Sequence, residues 1–145
     1  MSRQLQVIGL MAVCAAVGAG VGVGAYRAVA PAAVACPAAA AAMHRLELVF
    51  GMGRKDGGEV SEVEWRAFLD SEVTPKFPDG LTVLTGYGQW REGKGSLVKE
   101  TSRLLLIWYP GSTGDARIEA IRAAYKSRFG QESVLRAEGR SCVSF

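Results

Sequence analysis

Six side chains carry the polar chemistry that neighbouring extended runs of this chain would present: Arg45, Glu47, Gln89, Trp90, Glu100 and Ser102. Glu100 and Ser102 alternate along one run, Gln89 and Trp90 sit together in the run before it, and Arg45 and Glu47 alternate in the first. Gly86 and Gly88 leave space for another backbone or a ligand to approach closely. Such a group reads in two ways. As a cross-strand hydrogen-bond ladder it holds a sheet together. As a shallow ligand site on an open sheet face it offers Glu100 or Glu47 as an acid or base.

Other reactive constellations are hard to build. His44 is the only histidine, so any Ser-His-Asp or Cys-His arrangement would have to use it at the very start of the folded region. A zinc site needs more nitrogen and sulfur ligands than the chain offers, and no metal or other cofactor is expected. Gly51-Met52-Gly53 and Gly57-Gly58 superficially resemble a phosphate loop, but their spacing fits neither nucleotide-binding fingerprint. Glu59, Glu62 and Glu64 also crowd the helix start where an anion would bind, so this segment reads as a turn.

The beginning of the chain speaks to location. Arg3, the uncharged Val7–Ala25 run and the small-x-small site Ala33-Val34-Ala35 before Cys36 have the layout of an export signal. Residues 1–35 are therefore expected to be an export signal and 36–145 a single α+β domain, periplasmic or secreted. A retained inner-membrane anchor is the alternative, because Val7–Ala25 is near spanning length. A lipoprotein acylated at Cys36 is another, although Ala33 and Arg27 match that pattern poorly. In an oxidising compartment Cys36 and Cys142 read most simply as one disulfide, which excludes lipidation at Cys36.

Charge narrows the partners. Removing residues 1–36 takes away Arg3 and Arg27, so Lys+Arg falls from 17 to 15 against 14 Asp+Glu and the formal charge falls from +3 to +1. A chain so close to neutral gives no reason to expect nucleic acid. Contact with a membrane is expected only through the N-terminal segment, if it is uncleaved or lipidated.

The elements that must position these residues alternate strand and helix. Leu46, Leu48 and Phe50 alternate with polar neighbours in a first strand. Ser61-Glu62-Val63-Glu64 is a capping box, with Val60 and Trp65 as its staple. Trp65, Phe68, Leu69 and Val73 then line a helix face until Thr74-Pro75. Strands follow at Leu81–Trp90 and Leu97–Tyr109, the latter with a bend or bulge expected at its polar middle, Lys99–Arg103. A second helix starts near Thr113–Asp115, buries Ile118, Ile121, Tyr125 and Phe129, and ends at Gly130. Ser133–Ala137 completes βαββαβ, the order of a ferredoxin-like two-layer sandwich with two helices on one face of an antiparallel sheet.

Leu104–Tyr109 is apolar at every position, whereas a strand covered on one face alternates. Its outer side predicts an interface or groove, first of all a homodimer packed sheet to sheet. Leu105, Ile107 and Tyr109 are expected outward, which would let Trp108 join Trp65 in the core.

Leu48-Val49-Phe50-Gly51, Val60–Trp65, Val73–Val83, Gly88-Gln89-Trp90-Arg91, Tyr125–Val134 and the ending Cys142-Val143-Ser144-Phe145 resemble a bacterial exported family, domain of unknown function 3574. The resemblance implies a small exported domain, often with a cysteine at each end, which supports pairing Cys36 with Cys142. It implies no activity. The expected role is a small dimeric binding or accessory module of the cell envelope, with a small molecule or an envelope protein as partner. The alternative is a small-molecule enzyme using a carboxylate acid or base at the sheet face or the dimer interface.

Overall fold

Apolar residues at every second position of the first strand require a layer on one side of it, and two helices supply that layer. The computed structural model describes residues 35–145 except 92, 94, 112 and 113. The leader, with its cleavage and anchor alternatives, lies outside the described residues. The elements run β1 (Ala41–Gly51), α1 (Glu62–Phe68), a π-helical segment (Leu69–Val73), β2 (Thr82–Arg91), β3 (Leu97–Tyr109), α2 (Asp115–Phe129) and β4 (Leu135–Val143). The strands form one antiparallel sheet in the order β2-β3-β1-β4. This is the ferredoxin-like α+β sandwich.

Local chemistry sets the boundaries. The Ser61 hydroxyl accepts from the Glu64 amide at 3.3 Å while the Ser61 amide donates to the Glu64 carboxylate at 2.9 Å, completing the capping box. α2 ends at Gly130, whose φ of 68° is a left-handed conformation that glycine adopts without penalty. Between sheet and helices, Phe50, Trp65, Phe68, Tyr125 and Phe129 pack largely edge to face, with centroids from 4.7 to 6.1 Å apart.

The outward face of β3 is the reverse of the sequence expectation. Ile107 is 1% exposed and Trp108 37%, with Leu105 and Tyr109 buried beside Ile107. The register explains it: Ile107 pairs with Leu46 and Leu105 with Leu48, and partners in an antiparallel ladder share a face. Tyr109 then reaches past the apolar layer and donates its hydroxyl to Glu138 at 3.1 Å. Nor is there a bulge at Lys99–Arg103, where the β2·β3 register runs through without a skip while the β1·β3 register ends at Gly51 and Ser102. Glycines opposite the polar residues make the room that a bulge would have made.

β1 and β4 are both longer than expected, because Ala41–His44 pairs with Arg140–Val143. Cys142, opposite Ala42 within that pairing, is joined to Cys36, which precedes β1, with their Cα atoms 5.4 Å apart. The bridge closes the N-terminal approach to β1 onto the end of β4. No helix among the described residues is long and apolar enough to cross a membrane.

Candidate functional site

Both helices lie against one face of the sheet, so the other face is open. Alternation puts Arg45, Glu47, Val49 and Gly51 of β1 on that open face. Register adds Trp108, Leu106, Leu104, Ser102 and Glu100 of β3. From β2 come Thr82, Leu84, Gly86, Gly88 and Trp90, and from β4 come Leu135, Ala137 and Gly139.

Five of the six sequence-selected residues therefore share this face, in two separate groups. Trp90, Glu100 and Ser102 form one group. Arg45 and Glu47, joined as an ion pair, form the other. Six residues of strand separate the Glu47 level from that of Glu100, a span of about 20 Å at roughly 3.3 Å per residue. Gln89 belongs to neither group: it pairs with Lys99 and points to the opposite face from Trp90.

Glu100 is held with unusual definition for a sheet-surface carboxylate. The Trp90 indole N–H donates to its Oε1 at 3.0 Å and the Gly53 amide to its Oε2 at 3.2 Å. Its side chain leans from β3 across β1, where a Cβ on Gly51 would stand 2.6 Å from Oε2 and one on Gly53 3.2 Å from the same oxygen. A side chain at Gly51 would therefore have to displace the carboxylate, and one at Gly53 would crowd it. Ser102 lies between Gly51 and Gly86, and a Cβ at Gly86 would come within 3.2 Å of its hydroxyl. Among the described residues no Lys or Arg forms an ion pair with Glu100.

The strip under Glu100 is pinned from the helix side. The Tyr125 hydroxyl, carried by α2, donates to the Gly51 carbonyl at 2.8 Å, and the Gln131 amide reaches the Gly53 carbonyl. Burial pushes the Tyr125 phenol well above its ordinary range, and the nearby Glu100 charge adds to the shift. The phenol stays a neutral donor. Sequence reasoning took Gly51-Met52-Gly53 for a turn and Tyr125 for core alone. The signal was there in two glycines two apart at a strand end, facing the level of a polar strand residue.

His44 sits apart, on the helix-facing side of the sheet. Its ring stacks on Tyr109 with centroids 5.1 Å apart, in a shallow concavity with Gly114, Asp115, Glu138 and Arg140. The Tyr109 phenol is pushed up, first by burial and then by its bond to Glu138. Beside it, Arg136 is held by Asp115, Glu119 and Glu138, with its guanidinium bound first to Asp115 and its pKa raised further above its already high value. No cluster of three or more His, Cys, Asp or Glu suited to a metal ion occurs among the described residues.

The family described as "Protein of unknown function (DUF3574)" matches residues 45–145. No curated protein matches the chain in sequence. The solved structures that match include two of a phage SAM lyase. A phage SAM lyase in complex with S-methyl-5'-thioadenosine is 16% identical, with a TM-score of 0.56 over 71% of this chain and 90% of that one. A phage SAM lyase in the apo state is also 16% identical, with a TM-score of 0.48 over 78% of this chain and 96% of that one.

Proposed function

The chain belongs to the DUF3574 family of proteins of unknown function, and on that premise we propose that it is an exported binding or accessory module of the cell envelope, dimeric through its open sheet face. One observation carries this reading. Leu84, Leu104, Val49 and Leu135 form a continuous apolar row across all four strands on the side that no helix covers. Leu84 and Leu135 are about half exposed within it, and Trp108 adds to the same face. Contiguous apolar surface of this kind is characteristic of interfaces. Four strands about 4.8 Å apart and nine residues long present about 600 Å² per copy, so a pair buries about 1,200 Å², at the low end for a specific dimer.

The cross-link between Cys36 and Cys142 supports an oxidising compartment, in agreement with the leader-like start of the chain. A thiol engaged in that bond is not free for acylation. Fractionation of cells with intact-mass analysis tests export: the expected product starts near Cys36, carries the disulfide and lacks a lipid. Equilibrium sedimentation tests association: a wild-type dimer and a folded monomer for Leu106→Lys are expected, and a monomeric wild type at high concentration refutes the dimer.

A second reading rests on the fixed Glu100 carboxylate. It makes Glu100 the acid or base of a small-molecule reaction, and the likeness in fold to a phage SAM lyase suggests S-methyl-5'-thioadenosine as the first probe. Binding measured calorimetrically for the wild type and lost in Glu100→Gln would support it. No binding by either protein would count against that ligand.

A further inference from the structure

Resting on the dimer reading, we infer that two copies pack with their strands antiparallel about a two-fold axis along the apolar row, so that Arg45 of each copy meets Glu100 of the other. The register sets the positions. Val49 and Leu104 are partners in the row; Arg45 lies four residues before Val49 on β1, and Glu100 lies four residues before Leu104 on β3. Because β1 and β3 run in opposite directions, the two charges stand at equal distances on opposite sides of the row, about 13 Å each. A two-fold axis along the row exchanges those two ends.

The lateral positions agree as well. Such an axis lays β1 of one copy over β1 of the other. Arg45 stands on β1, and the Glu100 carboxylate has been brought over β1 by leaning across Gly51 and Gly53. Glu100 has two N–H donors in its own chain but no ion-pair partner among the described residues. A facing sheet about 10 Å away is within reach of an arginine. The pairing also reunites what one chain keeps apart, since Arg45 and Glu47 of one copy join Trp90, Glu100 and Ser102 of the other at each of two equivalent composite sites.

Shape points the same way. Leu106 and Trp108 make the Arg45 end of the face bulky, while Gly86 and Gly88 hollow out the Glu100 end. The axis sets the bulk of each copy against the hollow of the other. Gly88 is telling here, because its own chain does not require a glycine. A Cβ there would meet only ordinary contacts at 3.8 Å, and its φ is not left-handed. The axis lays the partner's Trp108 over β3 at the Glu100 level, one strand away from Gly88, where a larger side chain at Gly88 would crowd its ring.

The test is sedimentation equilibrium on the full disulfide-bonded domain, with near-ultraviolet circular dichroism on the same samples to establish folding. Arg45→Glu and Glu100→Arg are each expected to raise the dimer dissociation constant at least tenfold, and the double variant Arg45→Glu/Glu100→Arg to restore it. Gly88→Val is expected to stay folded and become monomeric, and it keeps the test decisive if Glu100→Arg does not fold. A wild-type monomer overturns the dimer reading itself. A wild-type dimer that Arg45→Glu and Gly88→Val both leave intact overturns this arrangement alone, because strands packed parallel would keep Arg45 and Glu100 of the two copies at opposite ends of the face.

Discussion

Ile107→Ala and Leu106→Ala strike adjacent positions of β3 and delete the same number of carbons, yet the fold gives them opposite consequences. Ile107 is 1% exposed and packs beneath the helices; Leu106 is only partly buried and lies on the open face. Three fully buried carbons at about 0.8 kcal/mol each, together with the cavity left behind, make Ile107→Ala cost about 3–4 kcal/mol. In a domain of this size that lowers the melting temperature by roughly 15–25 °C. Leu106→Ala removes carbons already partly in contact with water, and costs about 1 kcal/mol in the isolated chain. Its larger effect is on association. Thermal melts over a hundredfold range of protein concentration read both quantities, because a dimer's midpoint rises with concentration and a monomer's does not. The expected outcome is a low, concentration-dependent midpoint for Ile107→Ala and a near-normal, concentration-independent one for Leu106→Ala. Equal losses at a dilution where the wild type is monomeric refute the assignment of faces. Wild-type concentration dependence in Leu106→Ala refutes the part given to the open face.

Breaking the cross-link with Cys142→Ser frees a loop spanning 106 residues, worth at most about 4–5 kcal/mol by chain entropy, and denaturant titration under non-reducing conditions should show a loss approaching that ceiling. Ser61→Ala should cost about 1 kcal/mol through its missing cap, and an unchanged denaturation midpoint would deny the hydroxyl that role. Its backbone and side-chain bonds to Ser61, and then Arg54, hold the Glu64 carboxyl down to about 2. The stability from that depressed value is present above the unfolded carboxylate range near 4.5 and is lost as pH falls from there towards 2, so Glu64→Gln should flatten this part of the acid-unfolding curve. Gly51→Ala should push the Glu100 carboxylate aside and break its bond to Trp90, which indole fluorescence would report as a change in intensity and emission wavelength.

Strand and helix order was legible because alternation, capping box and terminal glycine all pointed to the same elements. Element ends were legible only where side chains are large: Ala41-Ala42 and Gly139–Ser141 carry almost no hydrophobic contrast, so their pairing could not be read. The face of β3 was hidden for the opposite reason, since a run apolar at every position has no phase until it is paired with Leu46 and Leu48. At the site, Trp90, Glu100 and Ser102 were found together, but Gln89 was assigned to the wrong face, because adjacency in sequence is opposition in a strand. Gly51 and Gly53 read as turn residues because the side chain that crosses them lies nearly fifty residues away.

The strand order also governs when this domain can become compact. β1 is central, yet both of its ladders come from later in the chain, one from β3 and one from β4 at the far end. A polypeptide emerging from a narrow channel with its N-terminus first offers β1 no neighbour until β3 is out, and its second edge stays unpaired until Leu135–Val143 follows. The sulfur partner of Cys36 arrives in that same last segment. The three-stranded part of the sheet can therefore close first, while the final ladder and the covalent closure both wait for Leu135–Val143.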